Sequence, residues 1–159
     1  MTESVIAPLG AGDYQLRKLV FEVGDSAGEY NRRELSLGLS HQFGTNAEDP
    51  NAFMLSLTLG INVDDDVFTE RGFKVEATAA AAFHVESGAI PEDDVVGYVL
   101  INGLSLLYSG LRHEVMTVTG QSAVGRVTIP TVNMVEYLKS QQAEDASAES
   151  PVAAEDATV

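Results

Sequence analysis

The residues best suited to chemistry in this chain are its three histidines, His41, His84 and His113. A metal site needs several such ligands at a fixed spacing, as in H-E-x-x-H on one helical face, or thiolates beside them. Here the histidines are scattered and the chain has no cysteine, which also removes disulfides and thiol nucleophiles. Each lone His reads as structural or surface. Asn62, Asp64 and Asp66 imitate the opening ligands of a calcium loop. Val67 stands where that loop requires glycine, however, and Phe73 where its closing glutamate belongs, so the stretch reads as a solvated turn. Gly10-Ala11-Gly12 lacks the third glycine and the preceding strand of a dinucleotide loop. No G-x-S-x-G and no phosphate-binding loop occurs. The paired acids Asp93-Asp94 sit where a helix begins, and acids are favoured there without any catalytic role. The expectation is a protein that is not an enzyme and uses no metal or cofactor.

The rest of the composition narrows the partners. The chain has 159 residues, a single-domain length, with 24 acidic against 9 basic side chains and a net charge of -15. That sign argues against nucleic acid, which wants a basic stripe, and against anionic membrane surfaces. No run of apolar residues is long enough to suggest a membrane span, and residues 1–13 lack the basic start of a signal peptide. A cytoplasmic protein is expected, since a cysteine-free chain suits a reducing compartment. A salt-loving source would also account for the acidity. From 140 to 159 the chain carries Glu144, Asp145, Glu149, Glu155 and Asp156 and no base. Such a stretch buries too little apolar area to offset its ordering entropy. The division expected is a flexible 1–13, one domain over 14–142 and a disordered acidic tail over 143–159.

The elements of that domain follow from periodicity. Leu35, Leu37, Leu39 and Phe43 alternate with small or polar residues. So do Phe53, Leu55, Leu57, Leu59, Ile61 and Val63, and then Phe73, Val75, Ala77, Ala79, Ala81, Phe83 and Val85. Period two means strands with one apolar face. An earlier strand begins at Tyr14 and changes parity before Leu19, Phe21 and Val23, so a bulge is expected near Arg17–Lys18. Short turn-rich links favour an antiparallel meander. After Pro91 the period becomes helical: Val96, Leu100, Leu104, Leu107, Leu111, Val115 and Val118 form a stripe. Gly103 and Gly110 lie on one side of this helix, where small residues let another helix approach. Thr128-Ile129-Pro130 is extended, and Thr131 is placed to cap a last helix over 132–142. The fold class is therefore α+β: a four-stranded antiparallel meander followed by a long helix and a shorter C-terminal helix.

In this order of elements the chain resembles the SecB-type protein-export chaperones over residues 14–142. Tyr14-Gln15-Leu16 and Leu19-Val20-Phe21-Glu22 follow that family's first strand, and Phe73-Lys74-Val75-Glu76 with Phe83 its fourth. Arg112 in the long helix is followed by Ile129-Pro130-Thr131-Val132-Asn133, similar to the family's Leu-Pro-Val-Asn patch with Thr131 inserted. The resemblance implies an ATP-independent holdase that keeps unfolded or newly made proteins competent for export and passes them to the SecA motor. It implies a homotetramer, a dimer of dimers, with the long helices in the interface, here through Val96, Leu100, Gly103, Leu107 and Gly110. The client groove it implies is lined by Tyr30, Leu35, Leu37, Leu39, Ile129, Met134 and Tyr137, with client backbone added to sheet edges and to the Ile129 segment. SecA-docking acids would be Glu22 and Glu76. Lys18 and Lys74 interrupt that acidic patch, and the loop from Gly24 to Arg33 is short, with Tyr30 its one aromatic. These departures favour, as an alternative, a SecB-like chaperone dedicated to one partner such as an antitoxin. A carrier of a small hydrophobic ligand is a third reading.

Overall fold

The computed structural model describes residues 6–25 and 30–148. Its elements are β1 (Leu9–Ala11), β2 (Gln15–Val23), β3 (Leu37–Thr45), β4 (Ala52–Ile61), α1 (Asp65–Arg71), β5 (Phe73–Val85), α2 (Glu92–Gly120) and α3 (Met134–Ala148). The α+β class, the antiparallel sheet, the long helix and the shorter C-terminal helix are as the sequence predicts. The sheet has five strands, and β3, β4 and β5 form a meander. The first long strand departs from the expected order: β2 pairs with β5, not with β3, and β1 continues along the same side of β5. β5 suits this central position because Ala77, Ala79 and Ala81 are small. Leucines of β4 on one side, Leu16 and Leu19 of β2 on the other and α2 above all find room over it.

The expected bulge is present: Leu16 pairs with Ala79 and Lys18 with Thr78, leaving Arg17 over. Two elements were not predicted. β1 lies within the segment read as flexible. The acidic stretch read as a plain turn forms α1, with Asp65 and Asp66 in its first turn and Gly72 closing it at φ 82. Glycine adopts that left-handed conformation without penalty. β2 and β3 lie at opposite edges of the sheet. Ahead of β3, residues 31–34 are tied to α1 by the Asn31 N–H to Arg71 carbonyl bond and the Arg71–Glu34 ion pair.

The core lies between α2 and the inner sheet face. Leu55, Leu57, Leu59 and Ile61 of β4 are fully buried, as are Phe73, Val75, Ala77 and Ala79 of β5. They meet Val99, Leu104, Leu107, Leu111 and Val115 of α2. By length and hydropathy α2 would serve as a membrane-crossing helix, yet this face is sealed on the sheet, as in a core helix of a globular domain. Leu104, Leu107, Leu111 and Val115 of the expected stripe are buried; Val99 is covered in addition, while Val96 is 44% exposed. α3 starts at Met134 rather than 132. Its cap is Asn133, not Thr131, because the Asn133 Oδ1 accepts the N–H groups of Val135 and Glu136. The helix continues to Ala148, into the stretch read as tail; residues 149–159 lie outside the described residues.

Candidate functional site: two open sheet edges

A sheet of finite width has two edges, and each leaves a row of backbone N–H and C=O groups without strand partners. Here they are the outer sides of β3 and β2. The β3 edge carries most of the expected client-binding residues. Leu35, Leu37 and Leu39 are half-buried and pack against the core, with Tyr30 and Tyr137 in the same state. Tyr137 reaches β3 from α3: its hydroxyl is 2.8 Å from His41 Nδ1, and the rings meet edge to face. Burial lowers the His41 pKa, opposed by the nearby Asp145, and burial also raises that of Tyr137. His41 is thus the inner-face contact that holds α3 beside β3. Its parity with Leu37 and Leu39 was the available signal.

Ile129 and Met134 are corrections. Ile129 is completely buried and Met134 is 5% exposed, so both are core residues and neither lines a groove. They seal the end of the core under the extended chain 126–133, which Tyr108 ties down by donating its hydroxyl to the Pro130 carbonyl at 2.5 Å.

Three residues expected in an oligomer interface are occupied within the protomer. A side chain added at Gly103 would lie 2.4 Å from Leu55 Cδ1 and 3.3 Å from the Phe83 ring; at Gly110 it would lie 2.4 Å from the Tyr14 ring. These glycines therefore admit the sheet and Tyr14, not a second helix. Leu107 is also sealed inside. Leu100 is half-buried and packs against the core, while Val96 is 44% exposed; elsewhere on α2 Leu106 is 53% exposed.

The second edge was not predicted. β2 pairs Leu16, Leu19, Phe21 and Val23 with buried residues of β5, so these side chains point to the inner face. α2 does not reach over them, and Leu16, Leu19 and Val23 remain exposed. Tyr14, at the start of this row, bends towards Gly110; burial, with Glu114 nearby, pushes its pKa up to about 12.

On the opposite sheet face the two acids expected to dock SecA are each matched by a base on the neighbouring strand. Glu22 pairs with Lys74 at 3.3 Å, Glu76 pairs with Lys18, and Lys74 also lies over the Phe68 ring. The surface presents paired charge, which removes the negative patch that a basic partner would seek. Among the described residues no cluster of three or more metal-ligating side chains forms.

No protein-family model matches the chain, and no curated protein matches it in sequence. Its fold is similar to that of a SecB-like chaperone of Mycobacterium tuberculosis, solved with a ChAD peptide from the HigA1 antitoxin. The identity is 17% and the TM-score 0.57, over 79% of this chain and 88% of that one. A protein of unknown function from Streptococcus agalactiae is more distant, at 10% identity and a TM-score of 0.44 over 77% of this chain and 97% of that one. The chain thus has the SecB-like fold.

Proposed function

We propose that this protein is an ATP-independent chaperone that holds unfolded polypeptide in extended form along the β3 edge. The observation that carries the reading is the coincidence there of a free strand edge with a half-buried apolar row, Leu35, Leu37 and Leu39, flanked by Tyr137. A free edge offers hydrogen bonds to any backbone, and the apolar row selects hydrophobic segments without fixing their sequence. The solved neighbour of this fold is bound to an antitoxin peptide, which supports a polypeptide as the ligand class.

Self-association completes the proposal. The apolar row on β2 and the exposed Val96 and Leu106 of α2 are surfaces that a second and third copy would cover, giving a homotetramer built as a dimer of dimers. The net charge of -15 per chain would keep such assemblies apart despite their exposed apolar area. The proposed setting is the cytoplasm, with newly made proteins destined for export as clients. The test is suppression of aggregation of a denatured substrate at near-stoichiometric protein, without nucleotide. Suppression that is weakened by Leu39→Glu supports the reading; none from folded, assembled protein overturns it.

A second reading, a chaperone dedicated to one partner such as an antitoxin, is favoured by the paired charges Glu22–Lys74 and Glu76–Lys18, which disfavour SecA. Affinity capture separates the two: many unfolded precursors support the general holdase, one stoichiometric partner the dedicated one.

A further inference from the structure

The outer face of the sheet, opposite α2, carries a trough. Along β3 it is built by Gly38, Ser40, Gln42 and Gly44, and along β4 by Met54, Ser56, Thr58 and Gly60, which face each other in register. Small side chains here leave three shallow concavities in line, of about 340, 240 and 260 Å³. The run from Ala52 to Gly60 spans roughly 27 Å at about 3.4 Å per residue, enough for an extended segment of similar length.

Charge is almost absent from this trough. Glu76 at one end is paired with Lys18. At the middle concavity lies Arg17, together with Gln42, Ser56 and Ala80. Arg17 is the extra residue of the β2 bulge, and bulges re-aim side chains. Its guanidinium reaches the far side of β5, donates to Gln15 Oε1 at 3.2 Å, and forms no ion pair among the described residues. In a chain so rich in acids, a base directed to the centre of a neutral trough is poised for a carboxylate from outside. Because concavities continue on both sides, that carboxylate fits a side chain within a segment and not a chain terminus.

We propose that the outer trough is a second peptide-binding surface, which takes an extended partner segment bearing apolar side chains around one central Asp or Glu held by Arg17. It lies on the face away from α2, opposite the inner-face row of Leu35, Leu37 and Leu39 proposed for clients.

The experiment titrates full-length protein into a fluorescein-labelled nonapeptide, followed by anisotropy. The peptide has glutamate at its centre, leucine or valine two and four residues away on each side, and serine between; its twin has glutamine at the centre. The Glu peptide should bind on the order of fivefold more tightly, the scale of one partly exposed ion pair, and Arg17→Gln should equalise the two. Gly38→Leu should weaken both at least tenfold. A Cβ at Gly38 meets nothing within 4 Å, so this variant fills the trough without disturbing the fold, and Gly44→Val, at ordinary contact distance from Met54, repeats the block. Aggregation suppression, measured in parallel, should be unchanged by Arg17→Gln. Equal binding of the two peptides by the unaltered protein, or binding indifferent to Gly38→Leu and Gly44→Val, overturns the proposal. So does tighter peptide binding on removal of residues 149–159, which would make the chain's own acidic segment the occupant.

Discussion

β4 and β2 have the same kind of sequence and opposite fates. Each presents large aliphatic side chains to the inner sheet face, yet Leu57 is completely buried and Leu19 is 37% exposed. The cause is coverage. α2 lies over β4 and β5 and stops short of β2. Alternation in the sequence states which side of a strand is apolar; it does not state what covers that side. Where nothing in the protomer does, the stripe stays open to solvent, and this separates the sealed centre of the molecule from its open flanks.

The sharpest way to break this contrast is to truncate both strands. Leu57→Ala should destabilise the protein by about 4 kcal/mol, because the transfer free energy is lost and a cavity remains. Leu19→Ala should cost about 1 kcal/mol at low protein concentration, where the protomer stands alone, since part of the side chain is already in water. Urea unfolding measures both. If β2 is covered by a second copy, the Leu19→Ala penalty should grow with protein concentration while the Leu57→Ala penalty stays fixed. Equal penalties under all conditions would mean that β2 is as well covered as β4.

Asn62→Ala comes next. Asn62 is fully buried with φ 53. Its Oδ1 accepts the Ser36 N–H at 3.0 Å and its Nδ2 donates to the Phe73 carbonyl at 3.2 Å. It therefore fastens the entry to the open β3 edge onto the closed centre. Alanine would leave both backbone groups unpaired and hold a side chain poorly suited to the left-handed conformation, at a cost of about 3 kcal/mol. Hydrogen exchange should rise first at Ser36 and Leu37, on the β3 side. A rise spread evenly over β4 and β5 would show that the two regions do not open separately.

How far the sequence discloses this arrangement depends on the physics involved. The three alternating strands of the meander and the long helix are legible because period two and period 3.6 are local signals. The bulge at Arg17 is legible from the parity change between Leu16 and Leu19. The place of β2 beside β5 is not, since any apolar strand face matches any other and pairing is decided by packing over the whole sheet. α1 was hidden because Asp64-Asp65-Asp66 reads equally as a turn and as acids favouring a helix start. At the candidate site, alternation makes Leu35, Leu37 and Leu39 legible as one apolar strand face, but not the free edge on which they lie. Ile129 and Met134 were misplaced because an apolar residue looks the same in a sequence whether it lines a groove or closes a core.

One pair of substitutions asks the same question within α2. Gly97 faces outward with nothing within 4 Å of an added Cβ, whereas Gly103 faces Leu55 and Phe83. Gly97→Ala should stabilise the isolated protomer by about 0.8 kcal/mol through helix propensity alone. Gly103→Ala gains the same propensity and loses more by forcing the helix off the sheet, so the sign of its effect should be reversed. Thermal melts at low concentration decide this; a matching sign would mean that α2 does not sit as closely on β4 and β5 as the geometry requires.

The smallest effect concerns β3, the strand intermediate between the two extremes, where the His41–Tyr137 contact is the one polar pair with α3 among the described residues. Burial holds the folded-state pKa of His41 below its ordinary value of 6.5. Between those two values the unfolded chain binds a proton that the folded chain resists, so stability should be intact above pH 6.5 and decline as pH falls towards the lowered value, then level off. His41→Gln removes this contribution while other groups titrate as before. The stability of the unaltered protein minus that of the variant should therefore be flat above pH 6.5 and fall below it. A difference that rises on acidification would mean that Asp145 outweighs burial and that a charged His41 tightens α3 onto β3, which would make this flank of the molecule more closed in acid, not less.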